Sequence, residues 1–297
     1  MTKVIRVHQL GGPEVLQIED IAVGDPGPGE VRIKVEAVGL NRSEAMYRAG
    51  RYPVKPQLPS LIGYEGVGTI EAVGAGVTDY KEGDRVCVLP MIHQGQYGIW
   101  AEQAIVPARI LLPAPPGLSA AEAASIWMQY MTAFALIEVA EVGLDDGVIV
   151  RAASSSVGIA AIQLANWAGA VSIAATRTSA KADALLAHGA AHVVATEEDD
   201  LVERVMDITG GKGAYVAFDP VGGLTSRRWR PHCARAASCS STAGCPSSRH
   251  PTRTGNARSK ACRCAAGWRA KSGTIPIAST GQGKRSSPVW PEANSSR

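Results

Sequence analysis

The chain has 297 residues, enough for two ordinary domains, and its 45% hydrophobic and 19% charged residues are typical of a globular protein. No apolar run is long enough to cross a membrane, and the first 16 residues lack the apolar core of a secretory signal. We therefore expect a cytoplasmic protein with no membrane partner.

The first part of the chain has the pattern of many short β-strands. Segments 31–40 and 66–77 alternate or cluster β-branched residues between Gly, Pro and Asp turns, and residues 80–84 form a turn signal before another strand. We therefore predict a compact β-barrel domain over residues 1–118. The sequence LPAPPGLS at 112–119 is expected to lead into a second domain.

Between residues 119 and 223 the pattern changes to alternating helices and strands. Ser119 is a candidate helix N-cap because Glu122 follows three residues later, and we predict one helix continuing to about Ala140. Four buried strands separated by helices are then expected, at 148–152, 171–177, 192–196 and 214–220. This βαβαβαβ order predicts a parallel sheet of Rossmann type, so the fold class is α/β.

The turn after the first of these strands is the expected place for a pyrophosphate, because backbone N–H groups at a helix start can receive an anion. The turn keeps only the last glycine of the usual Gly-rich pattern, but its small residues permit a close approach. The proposed phosphate-binding residues are Ser154, Ser155, Ser156, Val157 and Gly158.

The end of the second strand indicates which dinucleotide is bound. An NAD site usually places Asp or Glu about 20 residues after the turn, where it binds the ribose hydroxyls. Here the strand ends with Thr176 and Arg177, Lys181 follows, and no acid is present in this segment. Cations and hydroxyls suit a 2′-phosphate, so the sequence predicts NADPH; two solvated cations at a helix start are the alternative.

Residues 224–297 differ from everything before them. Residues 1–223 carry 16 Lys and Arg against 26 Asp and Glu, a net charge of −10, whereas this tail carries 14 Lys and Arg against the single acid Glu292, a net charge of +13. The tail holds five of the six cysteines and only four Val, Leu or Ile residues. Burial of so few branched aliphatic side chains cannot offset the conformational entropy lost when the tail becomes ordered. We therefore expect the tail to be largely disordered.

The tail has several possible explanations. An arm that binds nucleic acid or a membrane needs clustered aromatics or an apolar helical stripe, and a zinc site needs a Cys-x2-Cys pair. The tail has none of these, so we expect no nucleic-acid partner and no metal. We favour a shifted reading frame near Gly223. With G/C-rich codons, reading residues 224–246 two nucleotides later can yield an amphipathic helix, a Pro-Gly-Gly turn and a strand, and sequencing the gene tests this.

Six segments together resemble the medium-chain dehydrogenase/reductase superfamily, specifically its zinc-free NADPH:quinone oxidoreductase-like branch. They are GPEVL (12–16), PGPGEVRIKVEAVGLNRSE (26–44), GYEGVGTIEAVGAGV (63–77), EGDRV (82–86), AASSSVGIAAIQLA (152–165) and FDPVGG (218–223). The resemblance implies a GroES-like catalytic domain, a Rossmann domain that the tail leaves incomplete, and hydride transfer from NADPH. It also implies a homodimer, which the altered tail puts in question.

The resemblance further suggests that no metal takes part. Zinc alcohol dehydrogenases have Gly-His-Glu where this chain has Gly63, Tyr64 and Glu65, and they have Cys where it has Asn41. Tyr and Asn are poor zinc ligands beside imidazole and thiolate. We therefore expect a site without metal.

Several site residues follow from the resemblance. Asn41 and Thr132 are expected by the nicotinamide and Lys181 at the 2′-phosphate, and Val221 and Gly222 complete the cofactor site. Candidates for the substrate cleft, whose OH or amide groups could bind a quinone or enone oxygen, are Tyr47, Tyr52, Tyr64 and Gln129. Packing in the core is the alternative for each tyrosine.

The function predicted from these features is hydride transfer from NADPH to a quinone or an α,β-unsaturated carbonyl. Such acceptors are already electron-poor and chiefly need a well-placed nicotinamide. Two alternatives remain: an enoyl-thioester reductase of the same superfamily, and a catalytically defective NADPH-binding product. With the tail as written, the fourth Rossmann strand would lack outer neighbours, so we expect the chain to fold poorly and to bind NADPH weakly or not at all.

Overall fold

The computed structural model describes residues 1–220 and the backbone of Cys233–Arg235. Two antiparallel sheets form its first part, with strand orders β2-β1-β4 and β7-β3-β5-β6-β8. The strands are β1 (Thr2–Val7), β2 (Leu16–Ile21), β3 (Glu30–Val38), β4 (Ser60–Leu61), β5 (Gly66–Val73), β6 (Arg85–Val88), β7 (Gln103–Pro107) and β8 (Leu111–Pro113). Two short helices, α1 (Arg42–Arg48) and α2 (Gln94–Tyr97), lie in the connections.

The alternating pattern of the strands is reflected in their burial. Val31 and Ile33 of β3 are fully buried and face the core, whereas Arg32 between them reaches Glu71 and Asp25 at the surface. Ile33 pairs with Ile70 across the antiparallel ladder between β3 and β5. Because successive side chains point to opposite faces, this alternation places apolar residues on the buried face of the sheet and polar residues on the solvated face.

The segment that we predicted as one helix to Ala140 is three helices, so that prediction is wrong in its extent. They are α3 (Ala120–Ala124), α4 (Trp127–Ala133) and α5 (Ala135–Glu138). The predicted N-cap is confirmed, because Ser119 and Glu122 form both hydrogen bonds of a capping box. The first break follows from Ser125, whose hydroxyl bonds back to the carbonyls of Ala121 and Glu122 and ends α3.

The second part of the molecule is a parallel sheet with helices between its strands. The strand order is β11-β10-β9-β12-β13, as in a Rossmann sheet whose order reverses at its first strand. The strands are β9 (Gly147–Arg151), β10 (Val171–Thr176), β11 (His192–Ala195), β12 (Ala214–Phe218) and β13 (Cys233–Arg235), and the connecting helices are α6 (Ser156–Trp167), α7 (Ala182–Ala187) and α8 (Leu201–Ile208).

The sheet has one strand more than expected. We predicted that β12 would lose its outer neighbours, but β13 pairs with it in parallel, in the register Ala214↔Cys233 and Val216↔Arg235. That prediction is wrong at this position because a sheet edge offers backbone N–H and C=O groups, which pair without regard to side-chain identity. The other tail residues, together with Val221 and Gly222, lie outside the described residues.

The domain limits at 118 and 223 stay predictions. Ala123 and Ala124 of α3 are buried against Val67 and Cys87 of the first part, so this helix packs on the antiparallel sheet. In the described part of the chain, no helix combines the length and apolarity needed to cross a bilayer.

Candidate functional site

The predicted pyrophosphate turn joins β9 to α6 at the carboxyl edge of the parallel sheet. Ala152 has φ +48°, a left-handed conformation that costs a non-glycine residue about 1–2 kcal/mol. Ser155 is the N-cap of α6, and its side chain accepts from the backbone N–H of Gly158 at 3.1 Å. The N–H groups of Ser156 and Val157 have no acceptor among the described residues and are available to an anion.

Gly158 is required here for space. A Cβ at this position would lie 2.6 Å from the carbonyl oxygens of both Ala152 and Ala153, closer than real Cβ contacts allow. The glycine therefore lets the start of α6 pack directly on the end of β9. This contact brings the free amides of the helix to the edge of the sheet, as in dinucleotide-binding turns.

The predicted 2′-phosphate residues reach the same edge from β10. The Lys181 ammonium lies 3.3 Å from the hydroxyl of Ser154, so the structure brings together a cation and a hydroxyl that are 27 positions apart. Thr176 ends β10, and Arg177 is exposed beside it. The structure therefore joins Lys181 to the serine turn, and Arg177 is exposed at the end of β10.

An acid that the sequence reasoning missed also lies at this edge. We noted no acid in the segment after β10, but Glu198, from the loop before α8, accepts from Ser179 N at 2.9 Å and from Ser179 Oγ at 3.2 Å. The Glu198 carboxylate therefore binds the N–H and the hydroxyl of Ser179, two residues before Lys181. Only the pairing of β10 with β11 brings this loop alongside, so no local pattern could have indicated it.

A buried polar network surrounds Asn41 in the first part of the molecule. Its Nδ2 donates to Glu65 at 3.0 Å, and its backbone N–H donates to Glu44 at 2.5 Å. Both carboxyls are 1% exposed. Burial raises the pKa of Glu44 to about 7 and also raises the pKa of Glu65, because ionisation away from water is unfavourable.

Of the substrate-cleft candidates, two tyrosines lie together. The rings of Tyr52 and Tyr64 have centroids 6.2 Å apart, and the buried Gln94 accepts through Oε1 from the backbone N–H of Gly63, next to Tyr64, at 3.2 Å. Burial raises the pKa of Tyr64, so its hydroxyl stays protonated and remains a donor. Tyr47 is fully buried, and its hydroxyl is 2.9 Å from Ser60 Oγ, which favours the packing role that we gave as its alternative.

The remaining candidates are on α4. Gln129 and Thr132 are half-buried, and the Thr132 hydroxyl donates to the Met128 carbonyl at 2.6 Å. Met128 packs in the same apolar cluster as Tyr52 and Tyr64, so α4 adjoins the tyrosine pair.

A surface cavity of about 450 Å³ lies against α1. Its lining contains three arginines of the α1 region, Arg42, Arg48 and Arg51, together with Gly11 and Gly12. Arg48 donates to the Gly11 carbonyl at 3.3 Å, whereas Arg42 and Arg51 have no ion-pair partner among the described residues. The cavity is therefore cationic. The residues described contain no group of three or more His, Cys, Asp or Glu side chains able to hold a metal.

The residues that sequence reasoning missed are mainly acids and amides that act through buried contacts: Glu44, Glu65, Gln94 and Glu198. A weak signal existed for Glu65, because it lies within the segment GYEGVG that carried the family resemblance. Glu44 also stands in such a segment (26–44), three residues after the N-cap Asn41, whereas Gln94 and Glu198 stand in ordinary patterns and only the packing of distant segments distinguishes them.

The family model of the alcohol dehydrogenase GroES-like domain matches residues 27–116, and that of the zinc-binding dehydrogenases matches residues 156–256. The second match extends into the tail, whereas alignments with individual relatives cover about three quarters of the chain.

Two curated relatives and one solved structure illustrate the similarity. The chain is 35% identical over 223 residues to a quinone oxidoreductase of Pseudomonas aeruginosa, covering 75% of this chain and 67% of the relative. It is 34% identical over 222 residues to a 2-haloacrylate reductase of Burkholderia sp, covering 73% and 65%. The crystal structure of Escherichia coli quinone oxidoreductase complexed with NADPH superimposes with a TM-score of 0.67 at 34% identity, covering 76% of this chain and 68% of the other. The chain therefore belongs to the medium-chain dehydrogenase/reductase superfamily, in its quinone oxidoreductase-like branch.

Proposed function

We propose that the chain is an NADPH-dependent oxidoreductase that reduces a quinone or an α,β-unsaturated carbonyl without a metal ion. The observation that carries the proposal is the contact between Lys181 and Ser154, because it joins the anion-binding turn of β9 to the cationic tip of β10. The named relatives, a quinone oxidoreductase and a 2-haloacrylate reductase, support the same acceptor class.

The residues at the sheet edge suit this cofactor. The free amides of Ser156 and Val157 would receive the pyrophosphate, and Arg177 and Lys181 would bind the 2′-phosphate. Val221 and Gly222 remain proposed members of this site. When bound, NADPH supplies the hydride.

The chain's own residues would hold and orient the acceptor. The Tyr64 hydroxyl, kept protonated by burial, is a donor for a carbonyl oxygen, and Tyr52 lies against it. Gln129 on α4 is a second possible donor. Asn41 and Thr132 are proposed to face the nicotinamide. A site of this kind works by alignment and hydrogen bonding, so it suits acceptors that need little polarisation.

The test is NADPH oxidation by the purified full-length chain with a panel of quinones and enones, beside NADH as a matched control. We expect turnover with NADPH and much less with NADH, unaffected by chelators. Tight NADPH binding without turnover on any acceptor would support the alternative of a defective NADPH-binding product. Preference for NADH, or loss of activity on metal removal, would contradict the proposal.

A second acceptor class is favoured by the cationic cavity at α1. Arg42, Arg48 and Arg51 together would attract a carboxylate or a phosphorylated carrier, as borne by anionic enones or enoyl thioesters. Comparing kcat/KM for a carboxylated enone with that for its neutral amide decides between the classes. A preference for the carboxylate that Arg42→Gln removes would support the anionic class.

We expect the tail to lower the stability of the protein and its affinity for NADPH. If the reading frame shifts near Gly223, a version with the frame restored should show a higher melting temperature and tighter NADPH binding than the chain as written. Equal properties of the two versions would contradict the frame-shift hypothesis. An absence of codons able to encode the alternative helix and strand would contradict it as well.

A further inference from the structure

One buried carboxylate connects the two segments that are proposed to face the nicotinamide. Glu65 is 1% exposed, and each of its oxygens has a different partner. Its Oε1 accepts from Asn41 Nδ2 at 3.0 Å, and its Oε2 accepts from the backbone N–H of Met128 at 2.7 Å. Met128 belongs to α4, the helix that also carries Gln129 and Thr132.

The chain keeps space open for this carboxylate. A Cβ on Gly39 would lie 2.5 Å from both Cγ and Oε1 of Glu65, and 2.5 Å from the Ala124 carbonyl oxygen. The Gly39 N–H in turn donates to the Glu65 carbonyl at 2.9 Å. The absence of a side chain at residue 39 therefore lets Glu65 reach between Asn41 and α4.

The contact also determines which way the Asn41 amide faces. Both Glu65 oxygens accept from N–H donors, so the contact selects the orientation in which the amide NH2 faces Glu65. The amide oxygen of Asn41 then faces the backbone N–H of Glu44, its partner in the capping box that begins α1. With the amide reversed, two acceptors would meet in a buried place, which is unfavourable.

We propose that Glu65 is a positioning residue of the reductase site: together with the capping box of α1 it fixes the orientation of the Asn41 amide, and it holds α4 at a defined distance from that amide. This inference rests on the proposed function, since it assigns Asn41 and Thr132 to the nicotinamide. Misplacement of these groups degrades the alignment needed for hydride transfer. The phosphate end of the cofactor site, at Ser154 and Lys181, does not depend on it.

The test compares Glu65→Gln with Glu71→Gln. Glu71 lies on β5, the strand that begins directly after Glu65, and binds Gln103 and Arg32 at the surface. The amide introduced by Glu65→Gln can accept from only one of the two donors and presents its own NH2 to the other. We expect kcat to fall at least tenfold in Glu65→Gln with less than a threefold change in the dissociation constant for NADPH, and both values to be unchanged in Glu71→Gln.

A readout that does not need turnover separates this inference from the proposed function. The chain has four asparagines, so selective ¹⁵N-Asn labelling gives four side-chain amide signals. An Asn41→Ser variant assigns one of them. We expect the Asn41 NH2 to be protected from hydrogen exchange in the wild type and in Glu71→Gln, and to lose that protection in Glu65→Gln.

Two results would overturn the inference. The first is a protected Asn41 amide in Glu65→Gln, and the second is a fall in kcat matched by the loss of NADPH affinity and of thermal stability, which a purely structural role predicts. If the wild type reduces no quinone or enone but its Asn41 amide is protected through Glu65, the proposed function fails and the positioning role remains.

Discussion

Removal of the Lys181 charge is the most direct perturbation of the proposed cofactor site. The Lys181 ammonium is 3.3 Å from Ser154 Oγ and exposed to solvent. A phosphate carries a charge of about −1.5 to −2 near neutral pH, and a unit pair at 4 Å contributes about 1 kcal/mol in water and about 4 kcal/mol near a protein surface. Because the site is open, we take the low end, about 1–2 kcal/mol.

This energy converts to an expected loss of about 5- to 30-fold in NADPH affinity for Lys181→Met. NADH lacks the 2′-phosphate, so its dissociation constant should change by less than twofold. Adding Arg177→Ser should weaken NADPH binding further, and added salt should reduce the difference between wild type and variant. The matched control is Lys212→Met, an exposed lysine in the turn before β12.

The assay is a fluorescence titration of each protein with NADPH and NADH at two salt concentrations. Equal losses for both nucleotides would indicate a general structural effect. An unchanged NADPH affinity would refute the assignment of the 2′-phosphate to the tip of β10. It would also refute the inference that residues at this edge make the site prefer NADPH.

Three further predictions concern the same network of contacts. Gly158→Ala should lower the free energy of unfolding by about 1–3 kcal/mol and weaken NADPH binding, because its Cβ meets two carbonyl oxygens at 2.6 Å, whereas Gly24→Ala, with nothing within 4 Å, should do neither. Glu198→Gln removes a negative charge from Ser179, so NADPH affinity in the same titration should rise about two- to fivefold; a fall would contradict this. Burial raises the pKa of Glu44 to about 7, so the native state holds its proton while the unfolded chain ionises. Wild-type stability in urea should therefore fall relative to Glu44→Gln by up to about 3 kcal/mol as pH rises from about 4.5 to 7, and parallel curves would exclude this titration.

Much of the architecture was predictable because it depends on local periodicity and capping. The predicted strand at 171–177 is β10, Val171–Thr176, and the predicted strand at 192–196 is β11, His192–Ala195. The capping box of Ser119 and Glu122 was also predictable, since both partners lie within one turn.

The errors arose where a distant segment or a single side chain overrides the local pattern. The helix expected to reach Ala140 breaks after Ser125, where a hydroxyl competes for backbone carbonyls. Just beyond the break, Glu65 accepts from the Met128 N–H, which lies in the first turn of α4 and has no acceptor within the helix. The helical spacing of hydrophobic residues in the sequence indicates neither the partners of these contacts nor their strength.

The candidate site divides in the same way. The serine turn and the cations after β10 are visible in the sequence because each lies at a fixed offset from a strand end. The role of Glu65 is not visible, because its partners are 24 and 63 positions away and meet only when the chain path is known.

The amino-acid sequence by itself determined the α/β class, the alternation of strands and helices after residue 147, the cations that follow β10 and the change of composition after residue 223. These properties depend on the periodicity of residues close in sequence and on local charge. The tertiary structure alone decided that Glu198 lies at the cofactor edge, that Tyr47 is in the core and that Glu44 and Glu65 are buried around Asn41. Burial and long-range contact depend on which surfaces exclude water together, and no single segment carries that information.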